Sequence, residues 1–398
     1  MFTKAYIPYG GYYSSPFVRW QGTLQAVHSL PLGAATAKRW LESKQWDAKM
    51  VDYVNFGCTV AQPQVFYSGP WAAALIGAEQ VPGVWISQAC STSTTCIYQA
   101  AMAVEMGSAG TVFNLMADRL SNGPHTVWPN PGGPGGQVDS ENWVMDNFNC
   151  DPWAGEAMIV TAETVAKSAG ITREECDRVA LRRYEQYQDG LADDRAFQKK
   201  YMFPLEVRVS RKKTVTVDTD EGIYETTGEG LASLKPVIPD GVHTFGSQTH
   251  PADGNAAVVV TSREKAQELA GADAPEIQII SYGYSRVGKG RMAAAPVPAA
   301  EMALEKAGAS VQDMKAIKTH NPFVANDLYM SNKMGIDVEG FNNYGSPLIY
   351  GHPQGPTAAR CIIELIEELV EKGGGLGLFT GCAAGDTGAA LVVKVGQA

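Results

Sequence analysis

Four reactive side chains in this sequence, Cys90, His320, His352 and Cys382, stand in short segments rich in small residues. Cys90 ends the apolar run VWISQAC, and in the stretch that follows Ile97, Ala100, Ala101 and Val104 recur at helical spacing until Gly107 and Gly110. The thiol therefore falls where a buried helix begins. Unpaired amide N–H groups and the positive end of the helix dipole favour a thiolate there, which makes Cys90 a candidate nucleophile. A lone cysteine in such a place also reads as buried core. His320 in HNPF, His352 in GHPQG and Cys382 in TGCAAGDTG lie at strand ends or strand-to-helix turns. Singly, a glycine-flanked histidine is a turn residue. Two thiols and two imidazoles in such places are together the parts of covalent and acid–base catalysis at a carbonyl.

The elements that must carry these residues alternate. Residues 3–9 read as a short strand, 26–42 as a helix, 47–58 as a short helix turning into a strand, and 64–76 as another helix. TVFNLMA after the Cys90 helix closes this first unit near residue 120. Between 121 and 242 the texture changes. PNPGGPGGQ at 129–137 is too rich in Pro and Gly for regular structure, and Trp128, Trp143, Phe148 and Trp153 around it would line a ligand site or merely pack the insert. Helices are predicted over 151–169 and 172–190, the second with a capped, acidic first turn, and RVSRKKTVTV at 208–217 as one alternating strand. The plan then repeats: core strand 253–262, strand EIQIISYGYS, helix 296–307, strand MKAIKTHNPF, helix 325–334, and a last helix burying Ile362, Leu365, Ile366, Leu369 and Val370. On that last helix Glu364, Glu367, Glu368 and Glu371 are predicted to face water. The order implies an α/β fold made by internal duplication: residues 1–120 plus 243–272, an insert over 121–242, and 273–398. In such a fold the strand ends of both halves converge on one cleft.

Composition narrows the partners. A formal net charge of -10 over 398 residues argues against nucleic acid, whose phosphates call for an excess of Lys and Arg. No apolar run approaches the roughly 20 residues that span a bilayer, and no basic-then-apolar leader opens the chain, so a soluble, cytoplasmic protein is expected. Seven cysteines without C-x-x-C spacing predict reduced thiols, with no disulfide scaffold and no metal in this chain.

The sequence resembles the coenzyme A thiolases over nearly its full length. SPFVRWQGTL at 15–24 looks like the family's TPFGRxxGxL, MIVTAETVAKSAGITREECDRVAL at 158–181 is similar to its M-G-x-T-A-E-x-x-A segment, and GHPQGPTAAR at 351–360 and the Cys382 turn complete the match. The resemblance implies the thiolase-like α-β-α-β-α layered fold with an inserted loop domain. It implies that Cys90 attacks a 3-oxoacyl-CoA, His352 removes its proton, and Cys382 protonates the departing enolate. HNPF resembles the HDCF variant of sterol-carrier-type thiolases, so His320 would donate to the enolate oxygen, and the amides of Cys90 and Ala384 would form a second oxyanion site. Family members usually carry Gly at 384 and 386; a backbone donor tolerates Ala at 384 where φ stays negative. Coenzyme A, as substrate, would be held by Arg208, Arg211, Lys212, Tyr224, Ser247 and His250. Trp128, Trp143, Phe148, Trp153 and Tyr344 suit a bulky or aromatic acyl group, such as 2-benzoylsuccinyl-CoA cleaved to benzoyl-CoA and succinyl-CoA. A homodimer or larger assembly, and for this subgroup a small zinc-ribbon and OB-fold partner, belong to the same expectation. The alternatives are a condensing enzyme, biosynthetic or of the ketosynthase type, and a non-catalytic acyl-CoA-binding subunit. Ketosynthases lack a second acidic thiol, which Cys382 supplies.

Overall fold

The computed structural model describes residues 1–396; residues 397 and 398 of the expected C-terminal half lie outside the described residues. One sheet organises the molecule. Its strands run in the order Met314–His320, Gly375–Ala383, Thr387–Val395, Ile277–Arg286, Tyr6–Ile7, Ala252–Thr261, Thr111–Arg119, Tyr53–Gly57, Gly83–Ile86, with Tyr12–Ser14 and Val18–Arg19 also paired to Ala252–Thr261. Each half holds parallel strands at its outer edge and antiparallel ones toward the middle. The short strand Tyr6–Ile7 joins the two halves, pairing with Ala252–Thr261 on one side and Ile277–Arg286 on the other. Ala252–Thr261 is buried at every position, and its AAVVV run, apolar on both faces, is what a strand covered on both sides requires.

Two helices fill the middle of the molecule. Thr92–Met106, the helix that follows Cys90, turns Cys96, Ile97, Ala100, Ala101 and Val104 into the core and stops at Gly107, φ 71°. Thr357–Glu371 packs against it. Here the structure corrects the sequence: Glu364, Glu367 and Glu368 do not face water but are 0 to 1% exposed. The helix is covered on its polar side too, and that side is neutralised internally. Arg360 makes a two-pronged pair with Asp220 at 2.7 and 2.8 Å and reaches Glu364 at 3.0 Å; Lys318 bonds Glu364 at 3.1 Å; Tyr12 donates to Glu367. Two cations thus face two anions in the dry interior, and Arg360 also lies over the Tyr350 ring at 3.7 Å.

The segment 121–242 forms a cover with some structure of its own. His125–Pro129 and Val138–Asn142 pair as a hairpin around the Pro/Gly run. The predicted helix at 151 starts later, as Met158–Ala169, because Pro152 and Gly155 break the preceding turn and the Asp151 carboxylate takes the amides of Trp153 and Ala154. Arg173–Gly190 has the capping box of Thr172 and Glu175. The basic stretch is not one strand but a hairpin, Leu205–Ser210 with Lys213–Val217, turning at Arg211–Lys212.

Candidate active site

The turn into the first central helix is tight and strained. Ala89 has φ 45°, a left-handed conformation that costs a residue with Cβ about 1 kcal/mol or more, and it throws Cys90 forward at the end of the strand Gly83–Ile86. His352 comes from the other half. Its amide donates to the His250 carbonyl at 2.9 Å, its Nδ1 lies 2.7 Å from the Thr357 hydroxyl, and its Nε2 stands 3.1 Å from the Cys90 sulfur. His320 ends the strand Met314–His320, in parallel register with Gly381, so it sits beside Cys382. Its ring packs on His352, centroids 4.2 Å apart, and neither of its nitrogens has a protein partner.

The structure therefore brings to Cys90 three residues that lie 230 to 292 positions from it in sequence: Cys90, His320 and His352 have ligand atoms within 4.8 Å of one another, and Cys382 is close enough to Cys90 for that thiol to disfavour ionisation of Cys382. The first three are also the one grouping of such side chains among the described residues with the spacing to share a metal ion. All four are buried, and burial governs their charge. It pushes the Cys90 thiol up to about 12, although the amide N–H groups of Ala384 and of Cys90 itself point at the sulfur and act to lower it. It lowers His320 to about 3, and it holds His352 well below 6.5, with His320 beside it adding to the effect. The thiolate expected from helix position alone is overruled; a neutral thiol faces a neutral imidazole. Ala384 is not among the residues with left-handed φ, which fall instead on Gly385 and Asp386, at 82° and 58°. The turn thus offers the Ala384 amide without strain at Ala384.

Cys90, His352 and the Ala384 turn open on a cavity of about 740 Å³, whereas His320 and Cys382 are not among the residues that line it. Trp143, Val144, Met145 and Phe148 from the cover line it, with Trp143, Val144 and Phe148 packed against Val60 and Leu120. Trp128 and Trp153 are half exposed and line none of it, and Tyr344 is stacked on Phe197 at 3.9 Å. Of the side chains expected to hold coenzyme A, none lines the cavity. Arg208, Arg211 and Lys212 sit on the exposed hairpin. Tyr224 is exposed, edge-on to His250. Ser247 is wholly buried, its hydroxyl accepting from the Thr244 amide, and His250 fills the space beside Gly351 with Nε2 3.3 Å from the Ile349 carbonyl.

Several contacts were not read from the sequence. Gln354, held at φ 55°, takes a hydrogen bond from the Cys90 thiol at 3.2 Å. Asp118, buried and pushed up to about 6, accepts from the amides of Thr59, Val60 and Gly355, pinning the His352 turn to the first half. Asn326 donates to the Cys382 sulfur. Gln354 and Thr357 stand inside the GHPQGPT motif, so the motif was the available signal; Asn326 and Asp118 had none.

Comparison with known proteins agrees with this architecture. Residues 11–264 match the thiolase N-terminal domain and residues 274–395 the thiolase C-terminal domain. The chain is 30% identical to a beta-ketothiolase of Cupriavidus necator over 382 residues, covering 94% of this chain and 95% of that protein, and 30% identical to an acetyl-CoA acetyltransferase of Escherichia coli with the same coverage. Its structure is similar to that of the Bacillus anthracis acetyl-CoA acetyltransferase, TM-score 0.91 at 28% identity over 99% of both chains. It is also similar to human mitochondrial 3-ketoacyl-CoA thiolase in complex with CoA, TM-score 0.89 at 25% identity over 98% of both. With both domain families matched in order and the likeness running the length of the chain, this protein belongs to the thiolase family, acyltransferases that act on acyl-CoA.

Proposed function

We propose that this thiolase cleaves a bulky or aromatic 3-oxoacyl-CoA with free CoA to give two acyl-CoA products, through an acyl-enzyme on Cys90. His352 takes the Cys90 proton as the sulfur attacks the 3-oxo carbonyl, and the amides of Cys90 and Ala384 receive the oxyanion. Collapse breaks the bond between C2 and C3. The enolate of the departing acyl-CoA, its oxygen held by His320, takes the proton of Cys382. Free CoA then attacks the Cys90 thioester; its proton returns Cys382 to the thiol, and His352 reprotonates the leaving Cys90. The observation that carries this reading is the approach of Cys90 to His352 at 3.1 Å, with His320 stacked on that imidazole and Cys382 alongside.

The bulky acyl group is supported by Trp143 and Phe148 on the cavity wall. 2-Benzoylsuccinyl-CoA, yielding benzoyl-CoA and succinyl-CoA, is the specimen substrate. Tyr224, exposed outside the cavity, is retained for stacking on the CoA nucleotide, with the hairpin cations Arg208, Arg211 and Lys212 for its phosphates. We retain the division into 1–120 plus 243–272, 121–242 and 273–398, supported by the strand Ala252–Thr261 returning to pair along Thr111–Arg119 after the excursion. Free cysteines throughout the described chain suit the reducing cytoplasm, where we place it. A zinc-ribbon and OB-fold partner remains a proposal for co-purification to test.

The test separates the two thiols. Cys90→Ser is expected to abolish the acyl-enzyme seen by mass spectrometry, whereas Cys382→Ala should still be acylated by a simple acyl-CoA and lose cleavage across a 3-oxoacyl-CoA panel. Equal loss of both steps in the Cys382 variant would count against this division of labour. A non-catalytic binding subunit would show no substrate-protected labelling of Cys90 by iodoacetamide.

A further inference from the structure

Asn326 lies in the first turn of the helix Val324–Met334, immediately after the HNPF segment, and its amide orientation is fixed by three partners. Its Oδ1 accepts the Phe323 N–H at 3.2 Å, capping the helix, while its Nδ2 donates to the Ala293 carbonyl at 3.3 Å and to the Cys382 sulfur at 3.4 Å. Turning the amide over would set an oxygen against a carbonyl and an N–H against an N–H. The donor therefore has to face the sulfur. The turn itself is held from behind: the Ala325 amide donates to His243 Nε2 at 3.3 Å, and His243 Nδ1 lies 3.0 Å from the Glu163 carboxylate, so Nε2 accepts and Nδ1 donates.

We propose that Asn326 is a further catalytic residue, which makes Cys382 able to act as a base by donating a hydrogen bond to its thiolate. This rests on the proposed role of Cys382. Burial and the neighbouring Cys90 push the Cys382 thiol well up, and the Asp327 carboxylate adds to that; the Asn326 amide works against all three. None of the other charged and titratable groups around the sulfur is a hydrogen-bond partner of the Asn326 side chain. Asp327 keeps its pair with Arg183 at 2.9 Å, His320 and His352 stay neutral, the Glu163–His243 pair lies behind Phe323, and Asp386 is bound by the amides of Gly290 and Arg291.

The chemistry can be watched without the native substrate. When Cys382 acts as base, the C–H bond next to the thioester of acetyl-CoA breaks, its electrons form the enolate and its proton passes to the sulfur. In D2O the sulfur returns a deuteron. A hydrogen bond to a charged group is worth a factor of roughly ten to a hundred, so Asn326→Leu should exchange that much more slowly at neutral pH, with its pH profile displaced upward, while iodoacetamide still alkylates Cys90. Asn326→Asp keeps the cap for Phe323 and replaces the donor by a carboxylate, so it should move the profile in the same direction and serves if the Leu variant does not fold. Wild-type exchange with the wild-type pH dependence in a folded variant overturns the assignment of Asn326. No exchange in the unmodified enzyme would instead sink the role of Cys382, and this inference with it.

Discussion

Cys90 and His352 stand 3.1 Å apart, a distance at which an ion pair of thiolate and imidazolium would be expected in a wetter site. Burial disfavours the charged form of both, so in the proposed reaction the proton moves as the bond to the substrate forms. The same burial has a cost in acid. His320, lowered to about 3, is uncharged in the folded protein at pH values where the unfolded chain, at 6.5, has already taken a proton. Its contribution is full above pH 6.5 and is lost as pH falls toward 3, at about 1.4 kcal/mol per unit. Asp118 and Asp253, both pushed up to about 6, pull the opposite way below that value, so the total curve mixes signs. A comparison isolates the ring: His320→Phe should gain on the wild type in Tm as pH drops from 6.5 to 4, and a constant gap across that range would contradict the assigned burial. At this scale the sequence was legible where a motif marked a residue, as with Cys90, His320, His352 and Cys382. Gln354 and Asn326 touch these sulfurs across 264 and 56 positions, a closeness that only folding creates.

The helix Thr357–Glu371 is where element-level reading failed, for a definite reason. Periodicity divides a helix into an apolar and a polar stripe, and it equates polar with wet. Here the polar stripe meets Lys318 from a strand, Asp220 from the cover, and Tyr12, Tyr201 and Tyr350, so Glu364 is fully satisfied without water. No local pattern announces partners that arrive from four separate segments. Breaking one side of such a network leaves charge stranded in the core. Arg360→Met, which exposes Asp220 and Glu364 to each other without a guanidinium, should cost about 3–5 kcal/mol in urea unfolding. A loss under 1 kcal/mol would mean that the network is wetter than its burial indicates. The helices over 173–190 and 296–307, by contrast, were legible to within a residue, because a capping box and a leading proline fixed where they start.

Over the whole molecule, the duplicated plan was legible because strand and helix recur in the same order in both halves, whereas the joining of the two sheets through Tyr6–Ile7 rests on a two-residue strand that leaves almost no signal. The sheet ends at Gly83–Ile86, whose outer edge carries no further strand among the described residues. Val84 on that edge and Phe66, Tyr67 and Leu75 elsewhere on the surface are exposed apolar side chains. An open edge of this kind invites a second copy, and we propose that this chain forms a homodimer across it. Val84→Lys should give a folded monomer by light scattering, and an unchanged dimer would move the interface elsewhere. The interleaving of the halves has one more consequence. Because the imidazole and the amide proposed to serve Cys90 belong to residues 352 and 384, a nascent chain cannot assemble this centre until both have emerged from the ribosome. Thioester chemistry is in this way withheld during synthesis and begins when the polypeptide closes on itself.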